Sequence, residues 1–135
     1  MQLHESLASL LRTMPGLIDA HHPNGTRRYI VYIVTVKAGT SAAKVDFYVG
    51  STSHSASARI AQHREGGPKA ARMFRRGKNV PHELRSDLIP QHISFGDRAS
   101  AENAEGLVAD HLARQHKLRV HSDQMSATTT RKVKS

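Results

Sequence analysis

Five side chains stand out by type and spacing: Tyr32, Tyr48, Arg59, His63 and Glu105. Arg59 and His63 fall with Ala56 and Ile60 on one i, i+3, i+4, i+7 stripe, the inward face of a helix. An arginine on that face needs an anionic partner. Its planar fork grips a phosphate bidentately, and a structural carboxylate would serve it equally well. Glu105 falls within a second apolar stripe formed by Ala101, Ala104, Val108 and Leu112, with Glu102 further round toward solvent. A carboxylate turned inward is costly unless it is paired or bound to metal. The plainer alternatives are a partner for Arg59 or a stripe-edge residue that reaches water.

The tyrosines belong to two strand-like runs, residues 29–36 and 44–49, joined by the flexible stretch 37–43. Such runs most simply form an antiparallel hairpin. With the turn centred on Thr40, Tyr32 stands directly opposite Tyr48, a pairing that holds only in that register. Tyr48 then shares a polar side of the sheet with Asp46, away from Val45, Phe47 and Val49. An aromatic pair that merely stabilises the sheet fits the same pattern.

The positioning elements follow from periodicity and breakers. Leu3, Leu7, Leu10 and Leu11 predict an amphipathic helix over 3–12, ended by Pro15-Gly16. A turn cluster covers 21–25, and strand 29–36 is apolar on both faces, as a central strand should be. The small hydroxyl residues from Ser51 to Ser57 predict a cap for a helix running to about Arg64, with Ser51 and Thr52 read as cap residues or phosphate donors. Gly66-Gly67-Pro68 stops that helix. Short helices are expected over 69–76 and 82–89, a third strand over 91–95, a long helix over 99–116 and a short strand over 118–121. Residues 126–135 read as a disordered basic tail. No internal repeat is visible.

Bulk properties narrow the function classes. A chain of 135 residues fits one domain. The absence of cysteine excludes disulfide frameworks and thiolate zinc sites. No apolar run approaches the roughly 20 residues of a bilayer span, and the first residues lack a secretory pattern, so a cytoplasmic protein is expected. The net charge of +9 attracts polyanions, nucleic acid first and anionic membrane second, although charge can also serve solubility alone. With no Trp and few aromatics, single-strand stacking platforms are disfavoured. Lys69, Arg72, Arg75, Arg76 and Lys78 form an acid-free stretch suited to tracking a duplex backbone, or to nothing more than a solvated face. The ten histidines are scattered and suggest no metal centre.

Ile30-Val31-Tyr32, Tyr48-Val49-Gly50-Ser51-Thr52, the Arg59-xxx-His63 pair and a helical Glu105 together resemble the GIY-YIG nuclease pattern in order and spacing. The resemblance spans residues 29–121, leaving an N-terminal helix and turn at 1–28 and a basic tail at 122–135. It implies an α+β domain with a small three-stranded antiparallel sheet flanked by helices, and metal-dependent endonuclease hydrolysis of DNA with one Mg²⁺ or Mn²⁺. It assigns Tyr32 and Tyr48 to the motif tyrosines, Arg59 and His63 to the family arginine and histidine, and Glu105 to the metal-binding glutamate. Two departures stand out: Ile30 replaces the first glycine, and residues 118–123 hold no counterpart of the asparagine many members carry.

A hard cation bound by one glutamate, water and phosphate is chemically sufficient. Arg59 would stabilise charge on the phosphoryl oxygens, and a tyrosine would orient or deprotonate the water, in the order Tyr32, Tyr48, then His63. Duplex DNA is the expected partner, with a homodimer or a second protein supplying specificity. The rival expectation is an inactive or weak DNA- or RNA-binding module on the same scaffold.

Overall fold

The computed structural model describes residues 2–18, 28–38, 46–53, 55–67, 71, 74, 79–90, 93–115 and 119–124. Its elements are α1 (Gln2–Arg12), β1 (Leu17–Ile18), β2 (Ile30–Ala38), β3 (Asp46–Thr52), α2 (Ala56–Glu65), β4 (Asn79–Leu84), β5 (Ser94–Phe95), α3 (Arg98–Gln115) and β6 (Val120–His121). The fold is α+β.

The main sheet has four strands in the order β4-β2-β3-β6, not three. The first three are antiparallel, and β6 adds in parallel to β3 through Phe47–Val120 and Tyr48–His121. The third antiparallel strand is β4, drawn from a region whose sequence predicts a helix over 82–89. A helix there would leave the outer edge of the apolar strand β2 unpaired, and tertiary pairing overrides the local preference. A bulge between Val34 and Val36 accommodates the join. There the Thr35 hydroxyl accepts the Glu83 amide N–H at 2.9 Å, replacing a ladder bond. Pro81 is tolerated because β4 is an edge strand. Of the strand expected over 91–95, residues 91–92 lie outside the described residues, and Ser94–Phe95 form β5, which pairs with β1 outside the main sheet and bridges to Tyr29.

Each face of β2 carries its own apolar layer. Val31, Ile33 and Val49 pack with Leu7 and Leu11 of α1 and with Ala101, Ala104, Val108 and Leu112 of α3. The N-terminal leucines are therefore core residues, and Ser6 Oγ meets His111 Nε2 at 3.2 Å across the α1–α3 contact. On the other face Tyr32, Val34, Val36 and Tyr48 pack against Ala56 and Ile60 of α2 and against Ala71 and Phe74. The side of the sheet expected to be polar is thus a second buried layer. Asp46, at its margin, is held by Arg119 Nε at 3.1 Å and His121 Nε2 at 3.0 Å.

The hairpin register also differs from expectation. Tyr32 stands opposite Gly50, and Tyr48 opposite Val34. The shift is two residues along the strand, so both tyrosines keep their face and become diagonal neighbours, with ring centroids 6.3 Å apart. Gly50 is what makes room for this. A Cβ there would lie 2.5 Å from the Tyr32 hydroxyl and 2.8 Å from the Tyr48 ring.

Local signals set the helix ends. Ser55, not Ser51 or Thr52, caps α2: its side chain accepts the Ala58 N–H at 3.1 Å. Gly66, with φ of 69°, ends that helix in the left-handed conformation. Asp97 caps α3 by accepting the Ser100 N–H at 2.8 Å. No helix among the described residues is long and apolar enough to cross a membrane. The His21-His22 turn, the centre of the hairpin loop, the tail from 125 onward and most of the helix expected over 69–76 lie outside the described residues.

Candidate active site

Tyr32, on the central strand, and His63, on the last turn of α2, are both buried to about 1% exposure. The stripe that brings Ile60 onto the sheet also brings His63 there. Tyr32 Oη and His63 Nε2 are 2.7 Å apart. On the far side of the ring, His63 Nδ1 accepts the Ala71 backbone N–H at 3.1 Å. Burial, and then the Arg59 charge, push the His63 pKa down to about 4, so the ring is neutral.

Arg59 lies one turn earlier on α2 and is half-buried. Its Nη1 donates to Gln62 Oε1 at 2.7 Å, and its positive charge lies close enough to the Tyr32 phenol to act on it. Burial raises the Tyr32 phenol above its ordinary range, and Arg59 opposes that rise. Burial likewise raises Tyr48, with the nearby Tyr32, Asp123 and Glu105 adding to the effect.

Glu105 sits on the inward stripe of α3 and is only 4% exposed, so it is not a stripe-edge residue reaching water. Its Oε1 accepts from Ser51 Oγ at 2.8 Å and its Oε2 from Ser122 Oγ at 2.6 Å. Burial pushes its pKa up to about 7 against the pull of the two hydroxyls. Ser51 therefore acts as a donor to Glu105 rather than as a helix cap. The segment after β6 reaches Glu105 because Gly106 lets it approach: a Cβ at Gly106 would lie 2.8 Å from the Gln124 carbonyl oxygen.

These groups meet at an open cleft of about 420 Å³ whose walls include Tyr48, Ser51, Arg59, Glu105 and Asp123. Tyr32 and His63 are packed beneath Tyr48, with the Tyr48 and His63 ring centroids 5.5 Å apart. The five residues singled out by type and spacing are thus brought together from four elements. Lys69, Arg72, Arg75, Arg76 and Lys78 lie outside the described residues. Sequence reasoning missed Ser122, Asp123, Ala71 and Phe74. The first two occupy the stretch where an asparagine was sought, so the position carried the signal and the residue type hid it.

Among the described residues no group of three or more His, Asp or Glu side chains converges as a metal centre. The donor set nonetheless suits a hard divalent ion. Each Glu105 oxygen has a second lone pair beyond its serine bond, and Asp123 lines the same cleft. Mg²⁺ takes one or two carboxylates and fills its remaining positions with water and phosphate.

No family model, no curated protein and no solved structure matches this chain.

Proposed function

We propose that this chain is a GIY-YIG-type endonuclease that hydrolyses DNA phosphodiester bonds. One observation carries the reading: Tyr48, Arg59 and Glu105 share the walls of a single cleft, with Tyr32 and His63 bonded to each other directly beneath. The net charge of +9 supports a polyanionic substrate.

Arg59 at the cleft wall grips a phosphoryl oxygen and stabilises charge that develops there. Tyr48 lines the cleft and is read as the tyrosine that orients the attacking water, ahead of the buried Tyr32. His63 is a poor base, because its pKa is held near 4 and its Nδ1 lone pair is already taken. Glu105, with Asp123 on the same cleft, would hold Mg²⁺ or Mn²⁺. When bound, that ion supplies charge neutralisation at the scissile phosphate and the leaving oxygen. Ser51 and Ser122 fix the Glu105 carboxylate so that it needs no rearrangement to bind a cation.

The binding-module reading draws on a different observation: Tyr32 is wholly buried, and burial raises both tyrosine pKa values. A labelled duplex incubated with Mg²⁺ separates the two. Shortened products that end in 5′ or 3′ phosphate support the nuclease. Salt-sensitive binding with an intact duplex supports the module.

A further inference from the structure

We infer that the turn from Ala71 to Phe74 fixes the direction of the hydrogen bond between His63 and Tyr32, making His63 the donor and Tyr32 the acceptor. The Ala71 amide can only donate, and it points at His63 Nδ1 from 3.1 Å. That nitrogen must therefore be bare. A neutral imidazole carries one proton, so the proton sits on Nε2, and the partner of Nε2 at 2.7 Å is Tyr32 Oη. The reverse arrangement, with Tyr32 donating, would leave both ring nitrogens accepting and require an imidazolate.

The consequence falls on Tyr32. Its oxygen accepts from His63, and the nearby Arg59 charge favours its ionised form. A donor to the phenol oxygen with a cation close by is an arrangement that favours a phenolate. The tyrosine's own proton is left to point away from His63.

Phe74 is the positioning residue of this device. Its N–H donates to the Ala71 carbonyl at 2.9 Å and so closes the turn that aims the Ala71 amide. Its fully buried ring lies 4.7 Å from His63 and meets Tyr48 edge-on at 5.0 Å. One side chain thus holds both the histidine and the cleft tyrosine in place. The hydrogen-bond direction stands without the nuclease reading, whereas its effect on turnover rests on it.

Two-bond ¹H–¹⁵N correlation spectra of histidine-labelled, full-length protein at neutral pH report the tautomer directly. A His63 ring with protonated Nε2 and bare Nδ1 is expected. An Nδ1-protonated or doubly protonated ring overturns the assignment. In Phe74→Leu the fixed signature should give way to tautomer averaging, and kcat should fall about tenfold, one hydrogen bond's worth, with KM unchanged. Leu112→Val, a core control in the other apolar layer, should lower stability and leave the signature intact. An unchanged signature and rate in Phe74→Leu removes Phe74 from the device. If that variant does not fold, Ala71→Pro, which deletes the donor N–H and fixes φ at that position, makes the same test with the same two outcomes.

Discussion

Ser122 Oγ lies 2.6 Å from Glu105 Oε2, and this bond ties the last described segment of the chain to the buried carboxylate on α3. With Ser51 on the other oxygen, it supplies the donors that let a mostly buried glutamate ionise near neutral pH. The strand β6 exists largely to deliver it. Asp46 anchors that strand through Arg119 and His121, and Gly106 leaves space for the chain to cross α3.

Ser122→Ala should raise the Glu105 pKa above its present value of about 7, because burial then acts with one fewer opposing donor. Cleavage at pH 7 should fall several-fold and recover as the pH is raised. Stability above the new pKa should drop by about 1.5–3 kcal/mol, the range for a hydrogen bond to a charged group. Initial rates against pH, with urea unfolding alongside, check both. A rate profile that does not move would detach Ser122 from Glu105.

Gly50→Ala should destabilise the fold by about 1–3 kcal/mol, the usual cost of forcing atoms into a packed layer. The new methyl would sit 2.5 Å from the Tyr32 hydroxyl, an atom that His63 already holds. Denaturant midpoints measure the loss. A variant as stable as the parent would mean that the tyrosine moves freely, contrary to the packing described.

Arg59→Lys should lower kcat by about 100-fold or more while DNA binding changes little. Lysine keeps the charge but loses the planar fork that grips phosphate. Single-turnover rates and binding isotherms separate the two effects. Equal losses in both would make Arg59 a docking residue only.

His63 and Glu105 should give opposite pH dependences of stability, measured in chelator. The folded state lowers His63 from 6.5 to about 4. Its contribution is therefore full above about pH 6.5 and is lost as pH falls toward 4, up to about 3 kcal/mol. Glu105 is raised from 4.5 to about 7. Its contribution is full below about pH 4.5 and is lost as pH rises through 7, a similar amount. Between about pH 4.5 and 6.5 the two cancel. Unfolding free energies should be nearly flat there for the parent, fall on acidification for Glu105→Gln, and rise on acidification for His63→Gln. Parallel slopes in the two variants would contradict the assigned burial effects.

The helical parts of the site were legible because helix periodicity is local. Arg59 and His63 on the stripe of Ile60, and Glu105 on the stripe of Val108, follow from spacing alone. The hairpin was legible only to within a register shift of two, since the packing of Tyr32 over Gly50 decides the pairing. Strand β4 was not legible. Its reason for being a strand is the open edge of β2, fifty residues away in sequence. Ser122 and Ser51 could not be tied to Glu105 from spacing, because only the folded chain brings three distant segments together. Phe74 was hidden inside a stretch read for its charge, although a lone aromatic among basic residues is itself a sign of burial.

The most direct test is relaxation of supercoiled plasmid with Mg²⁺ or Mn²⁺, comparing the parent, the parent in EDTA and Glu105→Gln. Metal-dependent nicking or linearisation that disappears in both controls is expected. Cleavage that survives in Glu105→Gln, or a folded parent that binds plasmid and never cuts it under any metal, would contradict the assignment of this cleft as a nuclease site.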